Sequence, residues 1–155
     1  MLVSIDEFIM LKIIYAQDEL INQGLKIFSD KREEVILMYA NVESQTIEDM
    51  LKKAHDTGKN IRVIVVDSSP DYQGRSVVKR LAKHGIKCQY TLISMINFLI
   101  HTVTKVFLPS TYILCNGALV APMGSSLIAC IASKNHIPVV VVCETYKFED
   151  RVNLD

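Results

Sequence analysis

Short apolar runs alternate with helical stretches along most of this chain, and this alternation limits the folds that it can adopt. Strands alternating with helices of ordinary length form βαβ units and a mostly parallel sheet. Near-continuous apolar strands are typical of a sheet that helices cover on both faces. We therefore predict a doubly wound α/β fold. The predicted strands are residues 35–40, 61–66, 86–92, 106–108 and 137–143, and the predicted helices between them are residues 46–56, 74–84, 95–104 and 124–134.

A further helix is predicted before the first strand. Ser4 and Glu7 have the spacing of a capping box, and no glycine interrupts the chain before Gly24. The apolar side chains of this segment surround the helix axis, which indicates either a central helix or a helix that lacks a packing partner. The predicted organisation is an N-terminal helical segment at residues 1–30, followed by a Rossmann-like domain at residues 31–155.

Charge and hydropathy argue against two classes of partner. Seventeen basic and seventeen acidic side chains cancel, so direct binding to nucleic acid or to anionic lipid is not expected. Residues 90–108 are long enough to span a membrane, but His101 and Lys105 are among several polar side chains that interrupt them. A strand leading into a buried helix fits this stretch better than a membrane span does.

The cysteines and histidines do not have the spacing of a metal site. Cys88, Cys115, Cys130 and Cys143 are far apart and include no C-x-x-C pair, so neither a zinc ribbon nor a disulfide framework is predicted. Three of the four, all except Cys115, lie in apolar runs, where we expect reduced and mostly buried thiols. The chain also opens without the pattern of a secretory signal. A reduced, cytoplasmic setting is therefore expected, with no metal and no cofactor.

Candidate binding residues follow the predicted strands, because ligands of such sheets bind beyond the carboxyl ends of the strands. These segments are residues 41–44, 67–75, 110–116 and 144–147. Gly74 and Arg75 open a helix, where free N–H groups and a guanidinium favour an anion. Arg75 is equally compatible with a surface position or with an ion pair to Asp67 or Asp71. Residues 117–124 lack the Gly-Lys-Ser/Thr ending of a phosphate loop, and we find no recognisable catalytic set.

Three segments together resemble the alpha/beta/delta subunit family of eukaryotic translation initiation factor 2B. Residues 65–70, followed by Gly74 and Arg75, resemble the family's strand-end motif, with Ser69 where arginine is usual. Residues 115–117 resemble its asparagine-glycine turn. Residues 142–148, followed by Arg151, resemble the C-terminal signature of the delta branch. The resemblance covers roughly residues 35–155 and implies the role of a regulatory, non-catalytic subunit of the guanine-nucleotide exchange factor for initiation factor 2.

The resemblance also bears on catalysis, since the superfamily includes isomerases for methylthioribose 1-phosphate and ribose 1,5-bisphosphate. Those enzymes use a cysteine and an aspartate for proton transfer. The corresponding positions here are Ala40 and Thr111. Alanine carries no proton, and a threonine hydroxyl is a poor acid or base near neutral pH. The resemblance therefore implies no enzymatic activity, and a sugar-phosphate isomerase or small-ligand sensor is the alternative.

The resemblance implies partners and two sets of site residues. The implied partners are the alpha, beta, gamma and epsilon subunits of the exchange factor and initiation factor 2 itself, with a homodimer as the alternative for the chain without its beta partner. The first set is a vestigial anion pocket of Asp67, Gln73, Gly74, Arg75, Asn116 and Gly117. The second set is a pairing surface of Leu119, Val120, Met123, Glu144, Tyr146, Lys147, Phe148 and Arg151.

Overall fold

The computed structural model describes residues 9–29 and 32–151, so the predicted capping box of Ser4 and Glu7 lies outside the described residues. A π-helical segment, Ile9–Ile14, leads into the first α-helix. The α-helices are α1 (Tyr15–Leu25), α2 (Gln45–Asp56), α3 (Gly74–Lys83), α4 (Ile96–Leu99) and α5 (Ser125–Lys134). The strands are β1 (Glu34–Tyr39), β2 (Ile61–Asp67), β3 (Lys87–Leu92), β4 (Lys105–Pro109), β5 (Tyr112–Leu114), β6 (Leu119–Val120), β7 (Val139–Val142) and β8 (Phe148–Glu149).

Five strands form one parallel sheet in the order β3-β2-β1-β4-β7. Successive side chains of a strand point to opposite faces, and both faces of β1 are buried: Ile36 packs with α2 and α3, and Leu37 packs with α4 and α5. Helices thus cover the sheet on both sides, and the predicted doubly wound α/β fold is confirmed. No helix among the described residues is both long enough and apolar enough to cross a membrane.

A second, smaller sheet was not predicted. β5 pairs with β6 in antiparallel orientation and with β8 in parallel orientation. The predicted turn at Asn116 and Gly117 connects β5 to β6, and Gly117 adopts the left-handed conformation (φ 81°) that this turn requires. The small sheet extends from the end of β4 and brings the segment after β7 next to the segment after β4.

The predicted helix over residues 95–104 is shorter than expected. α4 has only four residues and lies between two 3₁₀ turns, Ile93–Met95 and Ile100–Thr102. Ile96 and Ile100 are buried against the sheet, whereas Phe98 is 73% exposed. Several residues of this segment are β-branched, and such residues lose side-chain freedom in a helix. The segment therefore forms short helical turns, fixed by the packing of Ile96 and Ile100, and does not form one regular helix.

The N-terminal helical segment is packed at one end only. Ile21 and Gly24 in α1 are buried, and a Cβ at Gly24 would overlap the sulfur of Met50 in α2. Upstream, five large apolar side chains are between 37% and 54% exposed: Ile9, Met10, Ile13, Ile14 and Tyr15. Of the two interpretations of this helix, the exposure favours the one in which it lacks a packing partner among the described residues.

The prediction of mostly buried cysteines is wrong. Cys115 and Cys130 are exposed, and Cys88 and Cys143 are half-buried. Cys130 lies in the apolar run of α5, but only the side of this helix that carries Ile128 and Ala132 faces the core. All four thiols are free, and burial raises the pKa of Cys88 to about 11.

Candidate functional site

A cavity of about 450 Å³ lies at the carboxyl edge of the large sheet, beyond the ends of β1, β2 and β4. Three of the four predicted segments contribute to its wall, through Asn41, Asp67 and Thr111 among others. The loop before α5 closes the remaining side with Met123 and Gly124. The cavity therefore lies beyond the carboxyl ends of the strands, which is where open α/β sheets bind their ligands.

A pair of hydroxyl groups fixes the wall of this cavity. The Tyr39 hydroxyl, at the end of β1, donates a hydrogen bond to the carbonyl oxygen of Met123 at 2.6 Å. It also lies 2.6 Å from Ser68 Oγ, which therefore donates to the tyrosine oxygen. Gly124 has φ 99°, and a Cβ there would lie 2.7 Å from Ile93 Cδ1 and 3.2 Å from the Tyr39 oxygen. These contacts hold the loop before α5 against the ends of β1 and β2.

Asp67, the last residue of β2, is buried, and no cationic side chain in the described part of the chain forms a salt bridge with it. Its Oδ1 accepts a hydrogen bond from the backbone N–H of Ser68 at 2.9 Å, and its Oδ2 accepts one from the Tyr90 hydroxyl at 3.0 Å. α3 begins directly beside this carboxylate, since a Cβ on Gly74 would lie 2.8 Å from both Asp67 Cβ and Cγ. Arg75 is exposed, and its guanidinium lies 6.0 Å from the centre of the Tyr90 ring. The structure thus places Arg75 against Tyr90 rather than against Asp67.

The structure places the six predicted residues of the anion pocket in two groups, with Gly74 and Arg75 near Asp67 and with Asn116 and Gly117 in the small sheet. Asp67 lines the cavity, but Gln73, Arg75, Asn116 and Gly117 do not, and neither does Gly74. Asn116 is exposed in the turn between β5 and β6, where its side-chain oxygen accepts a hydrogen bond from the Ala118 N–H at 3.0 Å. Asn116 and Gly117 therefore belong to the small sheet, whereas Gly74 and Arg75 open α3 beside the end of β2.

The charge of the cavity does not suit a phosphate. Among the described residues that line it, Glu43, Asp67 and Asp71 are acidic and none is basic. Ala40 and Thr111, at the two isomerase positions, both belong to this wall. Three carboxylates in its wall raise the electrostatic cost of binding an anion, although Glu43 lies 3.9 Å from Lys147 Nζ.

A buried ion pair follows β7. Glu144 accepts a hydrogen bond from Thr46 Oγ1, and its Oε2 lies 2.9 Å from Lys147 Nζ. The lysine also donates to the carbonyl oxygen of Ser110 at 3.1 Å and lies 3.9 Å from a carboxylate oxygen of Glu43. Burial alone raises the pKa of Glu144, but the hydrogen bonds from Thr46 and Lys147 outweigh it and hold the pKa below its usual range. This network anchors the C-terminal signature to α2 and β4.

The predicted pairing surface is divided by this network. Glu144 and Lys147 are occupied inside the protein and are not available to a partner chain, because each is already paired and largely buried. The other six predicted residues lie in or beside the small sheet, and we call them the small-sheet patch: Leu119, Val120, Met123, Tyr146, Phe148 and Arg151. Phe148 is 59% exposed, Tyr146 is 48% exposed and Met123 is 88% exposed, whereas Leu119 and Val120 are half-buried in β6.

The residues that sequence reasoning missed are mainly polar partners distant in the chain. Thr46 binds a glutamate 98 positions away, and Tyr39 binds a carbonyl 84 positions away. Tyr39 could have been found, because a tyrosine at the end of a buried strand needs a hydrogen-bond partner for its hydroxyl. Thr46 carries no such local signal.

Comparison with known proteins gives a consistent result. The model of the initiation factor 2 subunit family matches residues 1–155. The chain is 39% identical to translation initiation factor eIF2B subunit delta of Schizosaccharomyces pombe over all of its own length, which is 32% of that protein. It is 37% identical to ribose 1,5-bisphosphate isomerase of Archaeoglobus fulgidus over 66% of its length and 33% of that protein. The chain thus spans about a third of the length of these relatives.

Solved structures agree with the family match. A chain of the tetrameric eIF2B-beta2-delta2 complex from C. thermophilum superposes with a TM-score of 0.90 at 28% identity, covering 99% of this chain and 49% of that one. The crystal structure of eIF2B delta from Chaetomium thermophilum gives a TM-score of 0.87 at 27% identity, covering 97% of this chain and 54% of that one. Both the sequence and the fold lead to one assignment: the chain belongs to the initiation factor 2 subunit family.

Proposed function

We propose that this chain is a regulatory, non-catalytic part of the guanine-nucleotide exchange factor for translation initiation factor 2. The observation that carries the proposal is that the chain is 39% identical to a delta subunit over its full length. In this role the chain pairs with a beta-type subunit, assembles with the alpha, gamma and epsilon subunits, and takes part in contacts with initiation factor 2. Its setting is the cytoplasm, where initiation takes place.

We propose further that pairing uses the small-sheet patch. Ile113 in β5 pairs with Leu119 of β6 on one side and with Phe148 of β8 on the other. The segments that contain Leu119 and Phe148 therefore form one continuous surface. Aromatic residues and methionine are enriched in the centres of protein interfaces, and the patch exposes Tyr146, Phe148 and Met123. A stable pair buries on the order of 1,200 Å² or more in total, so the patch forms the centre of a larger contact.

Replacing Phe148 by aspartate is expected to weaken binding to a beta-type subunit by roughly tenfold or more, because a central aromatic anchor is lost and a charge must be desolvated. Tyr146→Ala should weaken it in the same direction. The matched control is Phe98→Asp, since Phe98 is even more exposed but lies on α4, outside the patch. Affinity is measured by surface plasmon resonance, and circular dichroism checks the fold. Binding that is unchanged in both patch variants would exclude this surface.

The chain is expected not to isomerise ribose 1,5-bisphosphate or methylthioribose 1-phosphate. The two positions at which related isomerases carry proton-transfer groups are Ala40 and Thr111, and the surrounding charges are acidic. The purified chain is incubated with each substrate, and product is measured against a blank without protein. Turnover above the blank that Thr111→Val abolishes would overturn this part of the proposal and would favour the isomerase alternative.

A further inference from the structure

His84 meets the neighbouring residues His55 and Asp56 at the other end of the large sheet from the cavity. We call His55, Asp56 and His84 the His-Asp-His cluster. His84 Nε2 lies 2.8 Å from Asp56 Oδ1, and His55 Nδ1 lies 3.8 Å from the same oxygen. One nitrogen of each ring and a carboxylate oxygen all lie within 4.8 Å of one another. Three potential metal ligands therefore converge, although their sequence spacing matches no metal motif.

The Nδ1 nitrogen of His55 has no hydrogen-bond partner among the residues that the structure describes. Nδ1 is buried from solvent, and its distance of 3.8 Å from Asp56 is too long for a hydrogen bond. Buried polar atoms are nearly always paired, so a lone one calls for an explanation. Gly85 lies beside the Nε2 side of the ring: a Cβ there would be in ordinary van der Waals contact, 3.4 Å from His55 Cε1 and 3.8 Å from Nε2. The backbone after α3 thus fits closely against the ring while Nδ1 faces the carboxylate.

Two helix ends favour a cation at the cluster, against the charges of Lys53 and Lys83 in the last turns of the same helices. α2 ends at Asp56, and His84 is the residue that caps the C-terminus of α3. The carboxyl end of a helix carries partial negative charge, so two such ends and one carboxylate act together. Both helices are already joined by Arg80, which donates two hydrogen bonds to the Glu48 carboxylate at 2.8 and 2.7 Å. This pair joins the first turn of α2 to the last turn of α3 and fixes how the two helices pack.

The geometry is close to that of a tetrahedral zinc site. Ligand atoms about 2.0–2.1 Å from a tetrahedral zinc ion lie about 3.3 Å from one another. Two of the three ligand-to-ligand distances, 2.8 and 3.8 Å, lie on either side of this value, and the third is at most 4.8 Å. Small side-chain rotations of half-exposed residues are sufficient to reach it. Two imidazoles with one carboxylate are ligands that suit zinc and its neighbours among the divalent transition metals.

We propose that the His-Asp-His cluster binds one zinc-like divalent transition-metal ion, with a fourth position open to water. The ion clamps the end of α2 to the end of α3 and gives His55 Nδ1 the partner that it lacks. This inference is independent of the proposed function, because the cluster lies outside both the cavity and the small-sheet patch.

The test is a titration of the purified, metal-free chain with zinc chloride by isothermal titration calorimetry. We expect one site per chain, and we expect Asp56→Asn and His84→Ala each to weaken binding by at least tenfold, since each removes a ligand. His101→Ala, at another exposed histidine, should bind as the parent does. A second measurement is the melting temperature, which saturating zinc should raise in the parent but not in His84→Ala.

Exposed thiols also bind zinc, so Cys115→Ser and Cys130→Ser are titrated in parallel. Both variants should keep the site. Three outcomes would overturn the proposal: no binding at all, binding that survives both Asp56→Asn and His84→Ala, or binding that either cysteine substitution removes. In the first case Asp56 and His84 form only a surface ion pair. Asp56 is 59% exposed, so its isosteric replacement by asparagine leaves the fold intact.

Discussion

Replacing Lys147 by methionine is expected to lower the free energy of unfolding by about 3 kcal/mol. The Glu144 carboxylate is only 5% exposed, and the lysine ammonium is its cationic partner at 2.9 Å. Methionine keeps much of the volume of the lysine stem but leaves the carboxylate buried with Thr46 as its remaining side-chain donor. The loss is measured by urea unfolding at neutral pH. Lys134→Met, at an exposed position in the last turn of α5, is the control and should change stability by less than about 0.5 kcal/mol.

The same ion pair predicts a dependence of stability on pH. The pKa of Glu144 is lower in the folded chain than its usual value, so the unfolded chain binds this proton more readily. The contribution of Glu144 is therefore present above the unfolded pKa and is lost as the pH falls through the folded pKa. Glu144→Gln should flatten this part of the acid profile, and the double variant with Lys147→Met should be more stable than Lys147→Met alone. If the double variant were no more stable than Lys147→Met, the buried and unpaired charge of Glu144 would not be the cause of the lost stability.

Replacing Gly74 by alanine should also destabilise the fold, by about 2 kcal/mol. Alanine is the better helix former, so local propensity alone predicts a gain. The added Cβ would lie 2.8 Å from Asp67 Cβ and Cγ, which real Cβ atoms essentially never tolerate, and either α3 or the end of β2 must shift. Asp67 is buried and hydrogen-bonded to Tyr90, so it has little freedom to move away.

Lys79→Ala is the matched control for this substitution, since it places alanine at an exposed position of the same helix. Thermal and urea unfolding of the two variants separate helix propensity from steric overlap. If Gly74→Ala were as stable as Lys79→Ala, the close approach of α3 to Asp67 would not be a constraint on this chain.

The large sheet could be predicted from the sequence because most of its strands contain continuous apolar runs, although β3 is interrupted by polar residues. β2 is the clearest case, since β-branched residues fill most of it. The small sheet could not be predicted, because strands of two or three residues such as Leu119–Val120 are too short to show a period of two. Cys130 was assigned to the interior for a related reason: an apolar run in a helix does not show which side of the helix meets the core.

The candidate site was predictable in position but not in detail. Ligands of such sheets bind beyond the carboxyl ends of the strands, and this expectation depends only on the order of strands and helices. It correctly placed Asp67 and Thr111 in the wall of the cavity. The direction of Arg75 depends on Tyr90 in the neighbouring strand, and the pairing of His84 with Asp56 joins the ends of two different helices. Long-range contacts of flexible polar side chains leave no periodic trace in a sequence.

The strand order also determines when the sheet can form during synthesis. β1, β2 and β3 pair side by side in the order in which they leave the ribosome. The other edge of β1 stays open until β4 has been made, and the outer edge of β4 stays open until β7 emerges late in the chain. Pairings between strands so distant in sequence are slow to form, and open apolar edges are prone to aggregation in the interval. A nascent chain that stops short of β7 therefore carries four of the five strands and leaves the outer edge of β4 unpaired.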